Sequence, residues 1–150
     1  HMQITMCNVT VTKVSHQRLL EVNLKKYSGH MREMRDNLES QIVSKASDAQ
    51  VNGHPDKRLP NTLSISFKGL KANEILDSLE TVAASAGAAC HSDSVTISSV
   101  LEAMKIPIEV AMGTVRLSTG RFTTEDQIDR AATEVLEAVD KLTPKRVPVP

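Results

Sequence analysis

Apolar residues recur every three or four positions in two long segments of the chain, which is typical of amphipathic helices. The first pattern begins near Ser15, with Gly29 as a possible bend, and comprises Leu20, Leu24, Tyr27, Met31, Met34, Leu38 and Ile42. The second pattern follows Thr124, which with Gln127 forms a capping-box signature. Its apolar positions are Ile128, Ala131, Val135, Leu136, Val139 and Leu142. Both segments are therefore predicted helices with one buried face.

Alternation of apolar and polar residues predicts half-buried strands at 63–67 and 114–118. Residues 3–12 are predicted to be extended, 44–60 to form a polar loop, and 82–89 to form a short strand that leads into a tight loop. Short helices are predicted from Ala72, burying Ile75, Leu76, Leu79 and Val82, and from Ser98 to Met104. The predicted fold is α+β, with a small mixed or antiparallel sheet of three to four strands and helices packed on one face.

Composition limits the classes of function. The 150 residues include 18 basic and 18 acidic side chains and only three aromatic ones, so nucleic-acid binding is not expected. No apolar run approaches the ~20 residues that cross a bilayer, and no secretory signal is apparent. A membrane protein is not expected, and a reducing cytoplasm is the expected compartment.

One segment carries candidate chemistry. Cys90 follows a run of Ser, Ala and Gly and precedes the polar residues His91, Ser92 and Asp93. Such small neighbours leave a thiol accessible, and a positive charge such as that of His91 would favour the reactive thiolate. A small buried cysteine that fills a gap is the alternative interpretation. No spacing of Cys and His typical of a zinc site is present, so no metal is expected.

Four segments in order resemble the selenocysteine lyases and cysteine desulfurases, enzymes of the class V aminotransferase type that use pyridoxal phosphate. The segment Ser85–Asp93 is similar to their cysteine loop, and Thr114–Glu125 to a second signature at the expected spacing. Arg58–Phe67 and the helical stretch Tyr27–Leu38 match two further segments. His91-Ser92-Asp93 after the cysteine favours the selenocysteine-lyase branch.

The resemblance implies roles for individual residues. Cys90 matches the acceptor nucleophile that takes selenium or sulfur from L-selenocysteine or L-cysteine and leaves alanine. Arg116 matches the arginine that binds the α-carboxylate of the substrate, as a guanidinium does through two parallel hydrogen bonds; His91 is the other predicted substrate-binding residue. Arg121 is predicted to brace the turn before the last helix, and Gly87, Gly113 and Gly120 to serve backbone geometry. The implied organisation is a segment unlike the family at 1–17, the C-terminal small domain at 18–143 and a proline-rich tail at 144–150.

The cofactor lysine of these enzymes directly follows a histidine, and none of the ten lysines here does so. Pyridoxal phosphate is therefore expected for the full-length family but not on this chain, which is expected to be inactive alone. Implied partners are a small amino-acid substrate and either a second copy or a large domain that binds the cofactor. Two alternatives stay open: a non-catalytic module for interaction or dimerisation, and a cofactor-free sulfur carrier that uses the thiol of Cys90.

Overall fold

The computed structural model describes the backbone of residues 15–91 and 94–144, and the side chains of 23–88 and 96–144. In chain order the helices are α1 Ser15–Lys45, α2 Ala72–Asp77, α3 Ser99–Ala103, α4 Ile108–Ala111 and α5 Glu125–Leu142. The strands are β1 Ala49–Val51, β2 Thr62–Phe67, β3 Ser85–Ala86, β4 Ala88–His91, β5 Ser94–Ile97 and β6 Thr114–Ser118. The predicted α+β fold is confirmed.

An antiparallel sheet of four strands, in the order β1-β2-β6-β3, organises the molecule. Strand β6 lies between two neighbours, so Arg116 pairs with Ser64 of β2 on one side and with Ser85 of β3 on the other. Strands β4 and β5 form a separate two-stranded hairpin. The central position of β6 holds its backbone from both edges.

One face of this sheet is covered by helices. Leu63, Ile65, Val115 and Leu117 are buried in one cluster with side chains of α1, α2 and α5, because alternate residues of a strand point to the same face. The helical members of the cluster are Met34, Leu38, Ile42, Ala72, Ile75, Ile128, Ala132, Val135 and Ala138. We call this side of the sheet the covered face.

The opposite side, which we call the second face, carries the polar positions of β2 and β6. Its residues Ser66 and Thr114 are buried, and the Thr114 hydroxyl donates to the carbonyl of Val110 in α4 at 3.2 Å. Helix α4 therefore packs on this face at one end. Toward the other end, Arg116 and Ser118 are exposed. The second face is closed at one end and open at the other.

The last helix begins as the sequence predicts. The Thr124 side chain accepts from the amide of Gln127, and the Gln127 side chain accepts from the amide of Thr124. These reciprocal bonds satisfy two amides that the first turn of a helix leaves without partners. Helix α5 then buries Ile128 and Val135 against the sheet.

Several predictions of local structure are wrong in detail. The loop predicted over 44–60 contains strand β1, whose pairing with β2 is a backbone interaction that needs little apolar sequence. The helix after Ala72 ends at Asp77, so Leu79 and Val82 follow it as partly buried loop residues. Leu24 is 65% exposed, because the stripe on α1 continues beyond the part of the helix that contacts the core. Cys90 lies on a strand and not in a loop.

The predicted extended segment 3–12 lies outside the described residues. Helix α1 runs without interruption through Gly29, where nothing lies within 4 Å of the position that a Cβ would occupy. Among the described helices, none combines the length and the apolar character needed to cross a bilayer.

Candidate functional site

Arg116 stands at the middle of the open part of the second face. Strand β6 alternates between the two faces, so the buried Val115 and Leu117 force Arg116 to the opposite side. Its guanidinium is exposed, while its backbone is bonded to strands on both sides. A flexible cationic side chain is thus anchored on a rigid base.

The charge of Arg116 has no partner within the described part of the chain. Its guanidinium makes no ion pair and no hydrogen bond there. Arg35 and Arg58 differ: Arg35 contacts Asp36 at 2.5 Å, and Arg58 contacts Glu39 at 2.6 Å. The interpretation of Arg116 as a surface arginine paired with a glutamate therefore has no support among these residues.

The two paired arginines fasten the loop before β2 to helix α1. Arg35 is buried and donates to the carbonyl of Leu59 at 2.7 Å. The hydrogen bond to Glu39, and the charges of Glu39 and Asp36, raise the pKa of Arg58 above its ordinary value despite its partial burial. These two arginines have a structural role. In the sequence they differ from Arg116 only in their location, since Arg35 lies on a helix, Arg58 in a loop and Arg116 on a strand.

The backbones of Cys90 and His91 lie on β4, opposite Val95 and Ser94 of β5. Their side chains lie outside the described residues, so their predicted roles stay predictions. The chain reaches them from Ser85, the β3 residue that pairs with Arg116. Five extended residues span at most about 18 Å, which limits the separation of Ser85 and Cys90 along the chain.

Gly87 joins β3 to this hairpin at a tightly packed point. Its amide donates to the carbonyl of Thr114 at 2.7 Å, and its carbonyl accepts from the amide of Ser98 at 2.9 Å. A Cβ at this position would lie 2.7 Å from Cδ1 of Leu101 and 2.8 Å from Cβ of Thr114. Only glycine fits without displacement, which confirms its predicted role in backbone geometry.

Gly113 has a similar role before β6. A Cβ there would overlap the carbonyl oxygen of Phe67, and the Gly113 carbonyl accepts from the amide of Phe67 at 3.0 Å. The close approach of the two backbones fixes the start of β6 against the end of β2. Gly120, by contrast, has ordinary space around it.

A buried network of polar side chains supports the closed end of the second face. Asn52 is 5% exposed and donates through Nδ2 to Ser66 Oγ at 2.7 Å and to Ser64 Oγ at 3.3 Å. Ser66 Oγ lies 2.7 Å from Thr114 Oγ1. The sequence shows these residues only as the polar positions of alternating strands, so their connection was not predicted.

The turn between β6 and α5 is attached to α1. The Arg121 guanidinium lies 5.8 Å from the centre of the Tyr27 ring and 4.6 Å from that of Phe122. His30 donates to the carbonyl of Thr123 at 2.8 Å, and Thr119 donates to that of Met31 at 2.9 Å. These contacts agree with the predicted role of Arg121 in bracing the turn.

A cleft of about 620 Å³ lies between α5 and the segment 78–81, away from Arg116. There the Glu134 carboxylate accepts from the amides of Glu80 and Thr81 and from the Thr81 hydroxyl. Burial alone would raise the pKa of Glu134, but the hydrogen bonds from Thr81, Glu80 and Val82 together lower it. In this cleft, the Glu134 carboxylate therefore fastens the segment 78–81 to helix α5.

The described residues do not fit a pyridoxal-phosphate site. A lysine that forms an imine with this cofactor needs to be desolvated or placed beside another cation. All eight described lysines are exposed: Lys25, Lys26, Lys45, Lys57, Lys68, Lys71, Lys105 and Lys141. Within the same residues, no group of three His, Cys, Asp or Glu side chains could hold a metal ion.

The sequence profile of the family described as aminotransferase class-V matches residues 9–131. The chain is 46% identical over 114 residues to a cysteine desulfurase of Azotobacter chroococcum mcd 1, covering 75% of this chain and 29% of that protein. It is 47% identical over 111 residues to the cysteine desulfurase NifS of Azotobacter vinelandii, covering 73% and 28%. The chain spans less than a third of the length of these relatives.

Solved structures show the same fold. A NifS-like protein from Rickettsia africae ESF-5 superposes with a TM-score of 0.68 at 22% identity, over 81% of this chain and 31% of the other. Another NifS-like protein superposes with a TM-score of 0.64 at 23% identity, over 83% and 31%.

Proposed function

Because this chain belongs to the aminotransferase class-V family, we propose that it is the C-terminal small domain of a pyridoxal-phosphate-dependent cysteine desulfurase or selenocysteine lyase. In this proposal Arg116 binds the α-carboxylate of the amino-acid substrate, and Cys90 receives its sulfur or selenium. Alanine is the other product. The cofactor chemistry at the substrate's Cα belongs to residues outside those described here.

The observation that carries the proposal is the state of Arg116. It is exposed, lacks a carboxylate partner among the described residues, and stands on a central strand that pairs with the segment leading to Cys90. A guanidinium held in this way is available for a bidentate interaction with a carboxylate. An arginine with only a structural role would resemble Arg35, whose guanidinium is buried and makes hydrogen bonds to Asp36 and to the Leu59 carbonyl.

The proposal assigns His91 to the substrate side of the reactive thiol. A thiol acts as a nucleophile in its thiolate form, which a neighbouring imidazolium favours. A reducing cytosol, in which Cys90 remains a thiol, is the compartment that this chemistry requires. Preference for selenium follows only from the resemblance of the His91-Ser92-Asp93 segment.

A chimaera tests the proposal. The aligned segment of A. vinelandii NifS, 47% identical over 111 residues, is replaced by the corresponding segment of this chain. We expect the chimaera to release alanine from L-cysteine or L-selenocysteine, and the ratio of the two rates gives the preferred element. Cys90→Ser should abolish release, and Arg116→Leu should raise KM strongly.

The cofactor's absorbance provides the control for folding of the chimaera. A chimaera that holds its cofactor but releases no alanine, or one in which Cys90→Ser retains full activity, would contradict the proposal. The isolated 150-residue chain, mixed with pyridoxal phosphate and L-cysteine, is expected to release no alanine. Alanine release by that mixture would show that the assignment of the cofactor site to another part of the enzyme is wrong.

We infer in addition that the chain pairs with a large domain or with a second copy of itself. Leu24 and Phe122 are 65% and 73% exposed, and the Arg121 guanidinium contacts the rings of both Tyr27 and Phe122. Exposed apolar residues of this kind favour an interface. Sedimentation velocity of the chain, with Leu24→Glu as comparison, tests self-association: a monomer at all concentrations would leave only the large domain as partner.

A further inference from the structure

Three polar residues form a row across the open part of the second face. Arg116 is in the centre, with Ser64 directly opposite on β2 and Ser85 directly opposite on β3. Directly paired residues of antiparallel strands point to the same face with their Cβ atoms about 5 Å apart. Both hydroxyls therefore flank the base of the Arg116 side chain.

With the Asn52 amide oriented as in the structure, the hydrogen bonds of the buried network beside this row run in one direction. The Thr114 hydroxyl donates its one hydrogen to the carbonyl of Val110. The hydroxyl of Ser66, 2.7 Å away, must then donate to Thr114 Oγ1. Ser66 Oγ in turn accepts from Asn52 Nδ2 at 2.7 Å.

The second hydrogen of the Asn52 amide completes the series. It points to Ser64 Oγ at 3.3 Å, so the oxygen of Ser64 is an acceptor in the network. The hydroxyl hydrogen of Ser64 consequently has no acceptor within the network. Asn52 is buried and its backbone amide donates to the carbonyl of Ser64 at 2.8 Å, while its side-chain oxygen Oδ1 is buried with no hydrogen-bond partner in the described part of the chain.

Ser85 provides the contrast. It pairs with Arg116 in the same way but is exposed, and its hydroxyl makes no hydrogen bond to any described residue. Its oxygen is consequently not held in one direction. The two serines flank the same arginine on the sheet, yet only Ser64 has a hydroxyl that contacts buried groups.

We propose that Ser64 donates its hydroxyl hydrogen to the carboxylate bound by Arg116, and that buried Asn52 is the positioning residue that orients it. This inference rests on the proposed function, since it adds a second donor to the carboxylate site assigned there. A carboxylate has two oxygens and about four acceptor positions, so a bidentate guanidinium leaves room for the hydroxyl. The site therefore recognises a planar anion by a fork of two N–H groups and one O–H from the neighbouring strand.

Titration of the intact chain with L-alanine, followed by amide NMR, tests the inference. L-Alanine carries the carboxylate, and L-alaninamide, which lacks it, is the comparison ligand. We expect Ser64→Ala to weaken binding of L-alanine about tenfold, because hydrogen bonds to charged groups are among the stronger ones. The matched control Ser85→Ala should change affinity by less than about twofold, because its hydroxyl is not oriented.

Two further variants separate orientation from folding. Ser64→Thr keeps the hydroxyl and should restore affinity to within about threefold of the original chain. Asn52→Ser leaves Ser64 intact but removes the amide that orients it. This variant should bind L-alanine about threefold more weakly, while its affinity for L-alaninamide should not change. A thermal melt of each variant confirms that the sheet is folded.

The outcomes distinguish this inference from the proposed function. Binding that requires Arg116, tested with Arg116→Leu, but is equally strong in Ser64→Ala and Ser85→Ala would overturn the inference alone. Two results would overturn the inference and the proposed function together. One is L-alanine binding that survives Arg116→Leu, and the other is the absence of any amide shift near Arg116 on addition of L-alanine. A loss in Ser64→Ala that is the same for L-alanine and L-alaninamide would show a structural effect and also overturn the inference.

Discussion

The two faces of the central sheet are built from the same strands but on opposite principles. On the covered face, Ile65 and Val115 are fully buried among apolar side chains of three helices. On the second face, the residues next to them in sequence are Ser64, Ser66, Thr114 and Arg116, which are polar. One face supplies stability through burial, and the other presents chemical groups on a backbone that the first face holds still.

This division explains how a short chain can carry an exposed cation at a fixed position. The covered face needs only shape and apolar area, whereas the second face needs specific atoms in specific directions. Substitutions on the two faces should therefore have different signatures: loss of stability on one and loss of ligand affinity on the other.

The largest loss of stability is expected for Ile65→Ala. Ile65 is fully buried at the centre of the covered face, and truncation there removes apolar contacts and leaves a cavity. Such substitutions cost about 2–5 kcal/mol of the free energy of unfolding. Urea denaturation measures this difference.

Arg116→Ala, on the neighbouring strand β6 and on the second face, is the matched control for Ile65→Ala. Its side chain is exposed and unpaired among the described residues, so its removal should change stability by no more than about 0.5 kcal/mol. A loss comparable to that of Ile65→Ala would contradict the division between the two faces.

A somewhat smaller loss is expected for Gly87→Ala, which tests the packing of the second face. The added methyl group would collide with Leu101 and Thr114, and overpacking of this kind costs about 1–3 kcal/mol. Gly29→Ala in the middle of α1 meets nothing and should instead stabilise the chain by up to about 1 kcal/mol. If both variants melt at the same temperature, the close contact at Gly87 is not as described.

Much of the covered face could be predicted from sequence, because burial imposes a period. The spacing of Met34, Leu38 and Ile42 placed them on one stripe of α1, and all three are buried. Alternation likewise predicted β2 and β6. Leu24 follows the same period but is exposed, because periodicity defines a stripe on a helix and not how far the neighbouring element extends along it.

The second face was less predictable, because its contacts are polar and distant in sequence. Strand β1 pairs through its backbone, and the four residues of α4 are too few to show a period. The link from Asn52 through Ser66 to Thr114 joins three segments that have no common pattern. Arg116 was found only because its surroundings resemble a known signature.

Thr124→Ala should cause a loss of about 1 kcal/mol, the usual cost of removing an N-terminal cap from a helix. The substitution breaks the bond from the Gln127 amide at the start of α5, which packs on the covered face. Thr124→Ser keeps the accepting oxygen and should retain most of the stability. Thermal unfolding of the two variants in parallel decides whether this cap contributes to the stability of the chain.

The smallest effect is expected at Glu134 and depends on pH. Its pKa is lower in the folded chain than its ordinary value of 4.5, because hydrogen bonds to the carboxylate outweigh burial. The stabilisation is therefore present above that value and is lost as the pH falls through the lowered pKa. Unfolding free energies of the wild type and Glu134→Gln should differ most near neutral pH and converge in acid. A difference that stays constant down to pH of about 2 would contradict this assignment.

The central placement of β6 has a consequence for the rate at which its amides exchange with solvent. Val115 and Arg116 are paired with strands on both edges, so the backbone there cannot fray singly, and the amide hydrogens that hold it to β2 and β3 are expected to exchange only when the sheet opens. The main chain beneath the guanidinium of residue 116 therefore has almost no motion left to lose when an anion arrives. Only the side chain has to become ordered, and more of the intrinsic attraction is retained as affinity.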